Sequence, residues 1–492
     1  MKTPLFHAYT LSALLMTQTA CAAQSSSPAE SVLLNNQDNS YAHWNGIGKL
    51  FKGGEPLCTA TLLDTRDSDN NSVGPAYLLT AGHCVSYDPG PNTDEPFDGA
   101  VVFNYFNDTP DEHHRYDVEK ATWNSMVGTD FAILQLKAPL ATLIEDGITP
   151  IRLSTRASAA VGEIQIVGAP HAFAESGLRL ATCNQAPTDA ALVESIGTFA
   201  NTLKNHCAGI GQGSSGSPVI EPATGEITSV LFTSTNEATV DTLCFWNTPC
   251  EVKNGQPTLA TNAQYSHSVE YLAGCFVSGT FNSRLNSCAL NKSFNLNPER
   301  FGFSDYAYTP KENEQTPTWK LTLSPDTPFY HYKSVNDARS CYLPAGYSAA
   351  TDSHDAEIDS VMGREPGMYS LCIVGTDTAQ EHPDAAALKH TKIFSAQLVD
   401  DGPARMPEVT VTPIETGGYQ VEARRGDPHF TQNRYQVAAA EDTRCEQTER
   451  KDYRWFTSLT LTPEQLPLTL CTYAINRAGK ASATRIDLLP QY

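Results

Sequence analysis

The chain has no apolar run long enough to cross a bilayer. Its best candidate, residues 11–16 (LSALLM), offers a handful of apolar positions where a spanning helix needs roughly 20. Positive charge is scarce as well. Lys and Arg total 33 against 55 Asp and Glu, a net charge of −22 over 492 residues. That balance argues against a nucleic-acid partner, whose phosphates call for a Lys/Arg surface. It suits a soluble exported chain kept apart by self-repulsion, and it says nothing of fold. No two cysteines show the CxxC spacing of metal ligands, so no metal site is expected. Helical periodicity is thin along most of the chain, which disfavours an α-rich architecture.

What the N-terminus does have is the pattern of an export signal. Lys2 gives a positive start, the short apolar stretch follows, and Ala20, Cys21, Ala22 and Ala23 offer a cleavage site. Residues 1–22 are expected to be the signal and 23–40 a polar spacer. Thr19-Ala20-Cys21 resembles the end of a bacterial lipoprotein signal, which would make Cys21 a lipidated membrane anchor. Gln18 departs from the aliphatic residue usual in that pattern, and cleavage after Ala22 is the alternative. Either route implies an exported protein, secreted or held at the cell envelope, and removes Cys21 from the 13 cysteines. An even set then remains, as in an oxidised disulfide framework. Sequential pairing is expected: Cys58–Cys84, Cys183–Cys207, Cys244–Cys250, Cys275–Cys288, Cys341–Cys372 and Cys445–Cys471.

A chain of this length exceeds one core and calls for several domains. Residues 41–272 carry short alternating or β-branched runs between Gly, Pro, Asn and Asp, the signature of an all-β barrel or sandwich. Residues 273–317 are polar, rich in Asn and Ser, and are expected to be a connector with a small disulfide loop. The remainder repeats. YKSVNDARSC, ending at Cys341, matches YQVAAAEDTRC, ending at Cys445, with one inserted residue; YSLCIVG around Cys372 matches LTLCTYA around Cys471. Residues 318–402 and 403–492 are therefore read as two small β-sandwiches, similar to Ig-like or fibronectin-type modules, each with an internal disulfide.

Three segments concentrate the chemistry. In Gly213-Ser214-Ser215-Gly216-Ser217-Pro218, Ser215 is the candidate nucleophile. A serine hydroxyl needs a base to take its proton, and its tetrahedral intermediate needs backbone N–H donors, here those of Gly213 and Ser215. In Leu78-Leu79-Thr80-Ala81-Gly82-His83-Cys84, an apolar strand ends at His83, and a Cys84–Cys58 bond would hold the turn that bears the base. His43, His113, His114, His171 and His206 lack such a setting and are read as surface or loop residues. Asp130 precedes the apolar run Phe131-Ala132-Ile133-Leu134, which would bury it and oblige it to find a partner. Asp111 and Asp117 are its alternatives.

These motifs, in the order His, Asp, Ser, resemble the trypsin/chymotrypsin superfamily, in particular its bacterial branch with GxSGSP. The resemblance implies a chymotrypsin-like pair of β-barrels with the site between them. It implies hydrolysis of protein or peptide substrates through an acyl-enzyme, with no metal or organic cofactor. Cys183–Cys207 falls where this branch often has a disulfide. Two departures stand out: no Ile-Val-Gly-Gly-like activated N-terminus is present, and residues 204–214 hold no acid. The substrate pocket wall is expected along Val230, Leu231, Phe232, Thr233 and Ser234, with Glu237 or Asp241 weighed as acceptors of a basic side chain. The expected function is a secreted serine endopeptidase whose C-terminal domains bind a surface or another protein. The alternative is an inactive protease-fold adhesin or binding protein.

Overall fold

The computed structural model describes residues 30–491 except 68, 70, 157–161, 237, 239–242, 245–246, 273, 297–303, 309–315, 355, 401–402, 416, 424–429, 442–444, 446–449 and 477–478. The export signal, Cys21, Glu237 and Asp241 lie outside the described residues.

The β-branched and aromatic runs form strands, as their shape favours on a half-buried pleated surface. Six of them build the first barrel: β1 (Ile47–Lys52), β2 (Glu55–Leu62), β3 (Pro75–Thr80), β4 (Gly99–Phe103), β5 (His114–Ser125) and β6 (Phe131–Pro139). They pair in the order β5-β4-β1-β2-β3-β6, and β6 returns to β5 to close a barrel. Six more build the second barrel: β7 (Gly162–Gly168), β8 (Arg179–Pro187), β9 (Leu203–Asn205), β10 (Pro218–Ile220), β11 (Ile227–Ser234) and β12 (Gln264–Ser268). Their order is β8-β9-β12-β11-β10-β7, with β7 closing on β8 and Leu180 opposite Val167. Closure removes open edges. The chain thus forms the expected all-β double barrel.

Period-two alternation is plain on β6. Ala132, Leu134 and Leu136 pack inside the first barrel with Leu78 and Val101, whereas Phe131 and Ile133 face Tyr77, Leu79 and Trp123. Both faces are buried, because second-barrel residues such as Val167, Ile220 and Val230, together with residues 275–290, pack over the outer one. The rings of Phe276 and Phe281 lie 5.6 and 6.4 Å from that of Tyr77, and the Phe281 N–H donates to the Tyr77 hydroxyl at 3.3 Å. This cover explains why the strands read as continuous apolar runs. The Cys275–Cys288 loop belongs to it, a packing role that its polar composition does not announce.

Two further cores follow. One gathers Trp319, Tyr330, Leu371, Ile373 and Phe394 under a five-stranded sheet and a two-stranded ribbon. The other gathers Val421, Leu461 and Leu470 between a three-stranded and a four-stranded sheet. Cys341–Cys372 and Cys445–Cys471 staple them respectively. The first of these modules docks on the double barrel. Lys392 Nζ donates to the Gly90 carbonyl at 3.0 Å, and the hydroxyls of Thr198 and Ser395 meet at 2.6 Å. Among the described residues no helix is long and apolar enough to cross a membrane.

Candidate active site

β3 ends at Thr80 and the chain turns at once through the short helical turn Gly82–Cys84, which carries His83. The Cys58–Cys84 disulfide ties that turn to β2. Asp130 stands immediately before β6 and is fully buried. Its Oδ1 accepts the His83 backbone N–H at 3.0 Å, and its Oδ2 faces His83 Nδ1 at 2.8 Å. One carboxylate thereby fixes both the turn and the plane of the ring. An ionised carboxylate only accepts, so this pairing puts the ring proton on Nδ1 and leaves the lone pair on Nε2. Burial alone would push the imidazole's pKa down. The charge of Asp130, its hydrogen bond and the charge of Glu194 outweigh that, and His83 titrates above its ordinary 6.5. The two alternative carboxylates are elsewhere: Asp111 is exposed in the turn Pro110–Glu112, and Asp117 pairs with Lys137 at 3.3 Å on the surface.

Ser215 comes from the second barrel, in the loop between β9 and β10. Its carbonyl accepts the Thr59 N–H at 2.8 Å, which clips the loop to β2 of the first barrel. Its hydroxyl donates to the Phe232 carbonyl at 3.4 Å, and among the described residues no hydrogen bond joins it to His83. Ser215, His83 and Asp130 line one cavity of about 530 Å³.

The two glycines of the serine motif are needed twice over. Gly213 has φ +89° and Gly216 φ +84°, in the region side chains avoid. A Cβ on Gly213 would also stand 2.5 Å from His171 Nδ1, and one on Gly216 2.2 Å from the Thr59 carbonyl. The Gln212 carbonyl accepts the His171 N–H at 2.9 Å. Because a trans peptide points its N–H opposite to its C=O, this turns the Gly213 N–H the other way. Among the described residues, neither the Gly213 nor the Ser215 N–H has a hydrogen-bond partner. Two unspent donors beside one hydroxyl are what an oxyanion requires.

Lys49 on β1, which sequence reasoning passed over, stands behind this loop. It is 1% exposed, donates to the Ala169 carbonyl at 2.7 Å, and meets His171 Nδ1 at 3.3 Å. Its Nζ lies 2.6 Å from where a Gly213 Cβ would stand. Burial lowers its pKa to about 8, which leaves it largely an ammonium at neutral pH. Burial and that charge together lower the pKa of His171, keeping its Nδ1 an acceptor. His171 is an exposed loop residue as expected, yet it borders the cleft and braces the serine loop.

Of the expected pocket wall, Leu231, Phe232, Thr233 and Ser234 border the cavity. Val230 instead packs fully buried in the core. Sequence reasoning also missed His267, stacked on Phe232 at 4.2 Å and kept neutral by burial, which pulls its pKa to about 4. A third miss is Glu194, at the end of the strand Ala191–Glu194 and 1% exposed. Its Oε1 accepts the Asn247 N–H at 2.6 Å, and burial pushes its pKa up to about 7. Cys58, His83 and Cys84 come close together, but the two sulfurs are bonded to each other and are not available as ligands.

No curated protein matches the chain. Among solved structures it is similar to the thermostable serine protease AL20 from an extremophilic microorganism, at 17% identity and TM-score 0.30, covering 48% of this chain and 94% of that one. It is also similar to the protease Anisep from Arthrobacter nicotinovorans, at 18% identity and TM-score 0.31, covering 46% and 90%. Kallikrein-related peptidase 10 gives 14% identity and TM-score 0.30, covering 46% and 92%. Residues 59–230, which hold His83, Asp130 and Ser215, match the family model of the trypsin-like peptidase domain.

Proposed function

We propose that this chain is an exported serine endopeptidase acting on protein or peptide substrates. The observation that carries the reading is the His83–Asp130 pair at 2.8 Å, in one cavity with Ser215 and the unspent N–H groups of Gly213 and Ser215. Ser215 Oγ attacks the peptide carbonyl as His83 Nε2 takes its proton. The negative oxygen that forms is held by the Gly213 and Ser215 N–H groups. His83 then returns the proton to the departing amine as the C–N bond breaks. Water, deprotonated by the same Nε2, hydrolyses the ester on Ser215 and restores the hydroxyl. The Asp130 carboxylate stabilises the imidazolium between the two transfers.

The two C-terminal modules serve as binding elements that place the protease on a surface or a protein, and Cys21 is the point of membrane attachment if the signal is of the lipoprotein kind. A fluorophosphonate probe tests the chemistry. The protein should become labelled, and Ser215→Ala should abolish labelling with the fold intact. A correctly folded protein that never labels would support the inactive binding protein instead.

A further inference from the structure

Resting on the protease reading, we propose that Glu194 determines specificity by receiving a basic side chain, Lys or Arg, of the substrate peptide. The cleft lining holds two carboxylates, Asp130 and Glu194. Asp130 spends both oxygens on His83. Glu194 spends Oε1 on the Asn247 N–H and has the Thr233 side chain close enough to steady its charge, while its Oε2 has no hydrogen-bond partner among the described residues. No ion pair within the chain involves Glu194 among those residues either. A carboxylate 1% exposed with one oxygen unmatched carries a desolvation cost that a cation in the cleft would offset.

The lining next to it fits such a guest. Tyr87, Ile196, Thr233 and Asn247 share the cavity, and none of them brings a positive charge that would compete. The aliphatic stem of Lys or Arg packs on Ile196 and Tyr87 while its head reaches Oε2. An ammonium brings three N–H donors and a guanidinium five. The strongly acidic protein favours the approach of a basic peptide at long range.

Glu194 acts electrostatically on both His83 and Tyr87, which places it on the histidine side of the cavity. The wall formed by Gly211, Gln212, Gly213 and Leu231 lies around Ser215. The basic side chain therefore belongs to a residue flanking the one whose carbonyl is attacked. Asn247 is held in a loop closed by Cys244–Cys250, so the Glu194 carboxylate is anchored on a covalently constrained support. A purely structural Glu194 would need its Oε1 bond alone, and an amide would supply that equally well.

The test is cleavage of a positionally scanned peptide library by the full chain, with fluorophosphonate labelling run in parallel. The expected wild-type profile favours Lys or Arg at one flanking position by tenfold or more in kcat/KM over Ala. In Glu194→Gln that ratio should fall to about one. Glu194→Asp keeps the charge on a shorter arm, and it should retain a preference that shifts from Lys toward the longer Arg. A wild type that labels but shows no basic preference overturns the Glu194 assignment and leaves the protease reading standing. An unchanged ratio in Glu194→Gln overturns it too. A wild type that neither labels nor cleaves overturns both.

Discussion

Replacing Asp130 by Asn tests the mechanism at its most constrained bond pair. The new amide has one acceptor and one donor end, and the His83 backbone N–H, 3.0 Å from Oδ1, admits only the acceptor. The NH2 group must then face Nδ1 across the 2.8 Å now spanned by Oδ2. A donor facing Nδ1 requires a lone pair there, so the ring moves its proton to Nε2. Nε2 is the atom that must accept the Ser215 proton, and the base is lost while every heavy atom stays in place. The same substitution in the template triad lowers kcat by about 10⁴, or roughly 5.4 kcal/mol at 1.36 kcal/mol per decade.

Peptide hydrolysis and fluorophosphonate labelling should both slow by that order, with KM and the melting temperature little changed. The pH profile adds a second readout. His83 must be neutral to act, and its folded pKa lies above 6.5, so wild-type kcat/KM should rise with pH through a midpoint above that value. Stability moves the other way. The contribution of protonated His83 is full below the unfolded pKa and is lost as pH rises through the folded one. Without the Asp130 charge, the acid limb of any residual activity should move down. A fall in kcat of less than tenfold would refute the tautomer argument and move the orienting role away from Asp130.

Two other perturbations separate stability from turnover. Replacing Cys58 and Cys84 by Ala frees a loop with a sequence separation of 26; the chain-entropy relation puts the loss at about 3.5 kcal/mol, and an unchanged denaturant midpoint would contradict it. Lys49→Met removes a buried ammonium whose pKa falls from 10.5 to about 8, a cost of roughly 3 kcal/mol at 1.36 kcal/mol per unit. Below pH 8 the native state bears that cost in full, and it fades between 8 and 10.5, where the unfolded chain binds more protons. The variant should be as stable as the parent or more so at neutral pH, yet tenfold or more slower, because the Ala169 carbonyl and His171 lose the donor that holds the serine loop. A Lys49→Met protein that is less stable and fully active would sink that account.

That Ser215 and His83 meet in one cavity could be read from the chain, because the roles proposed for them constrain their neighbours. An oxyanion site demands residues tolerant of positive φ at Gly213 and Gly216, and a held base shows in the cysteine beside it. Asp130 could be read from the apolar strand that buries it. Lys49, His171 and Glu194 leave no such trace. Lys49 meets Ala169 across 120 positions of sequence, and Glu194 meets Asn247 across 53. Each looks locally like one polar residue in an ordinary strand or loop. Val230 was misplaced for a different reason: the run containing it is buried on both faces, so hydrophobicity does not reveal which side faces the cleft.

The docking of the first C-terminal module bears on when activity can appear. The Met126 N–H donates to the Pro89 carbonyl at 3.0 Å, which joins the segment leading to Asp130 to the loop that Lys392 braces at Gly90. The Thr391 carbonyl lies 3.6 Å from where a Cβ on Gly128 would stand, two residues before Asp130. That brace is 302 positions downstream of the loop it supports. A ribosome therefore delivers Ser215, His83 and Asp130 long before it delivers the buttress behind them. Until the chain has passed residue 395, the Gly90 carbonyl and the Thr198 hydroxyl are left to water, and the contacts that Lys392 and Ser395 make with them are unmade. A chain ending before residue 391 lacks every one of these contacts, so the segment before Asp130 gains this support only in the longer molecule.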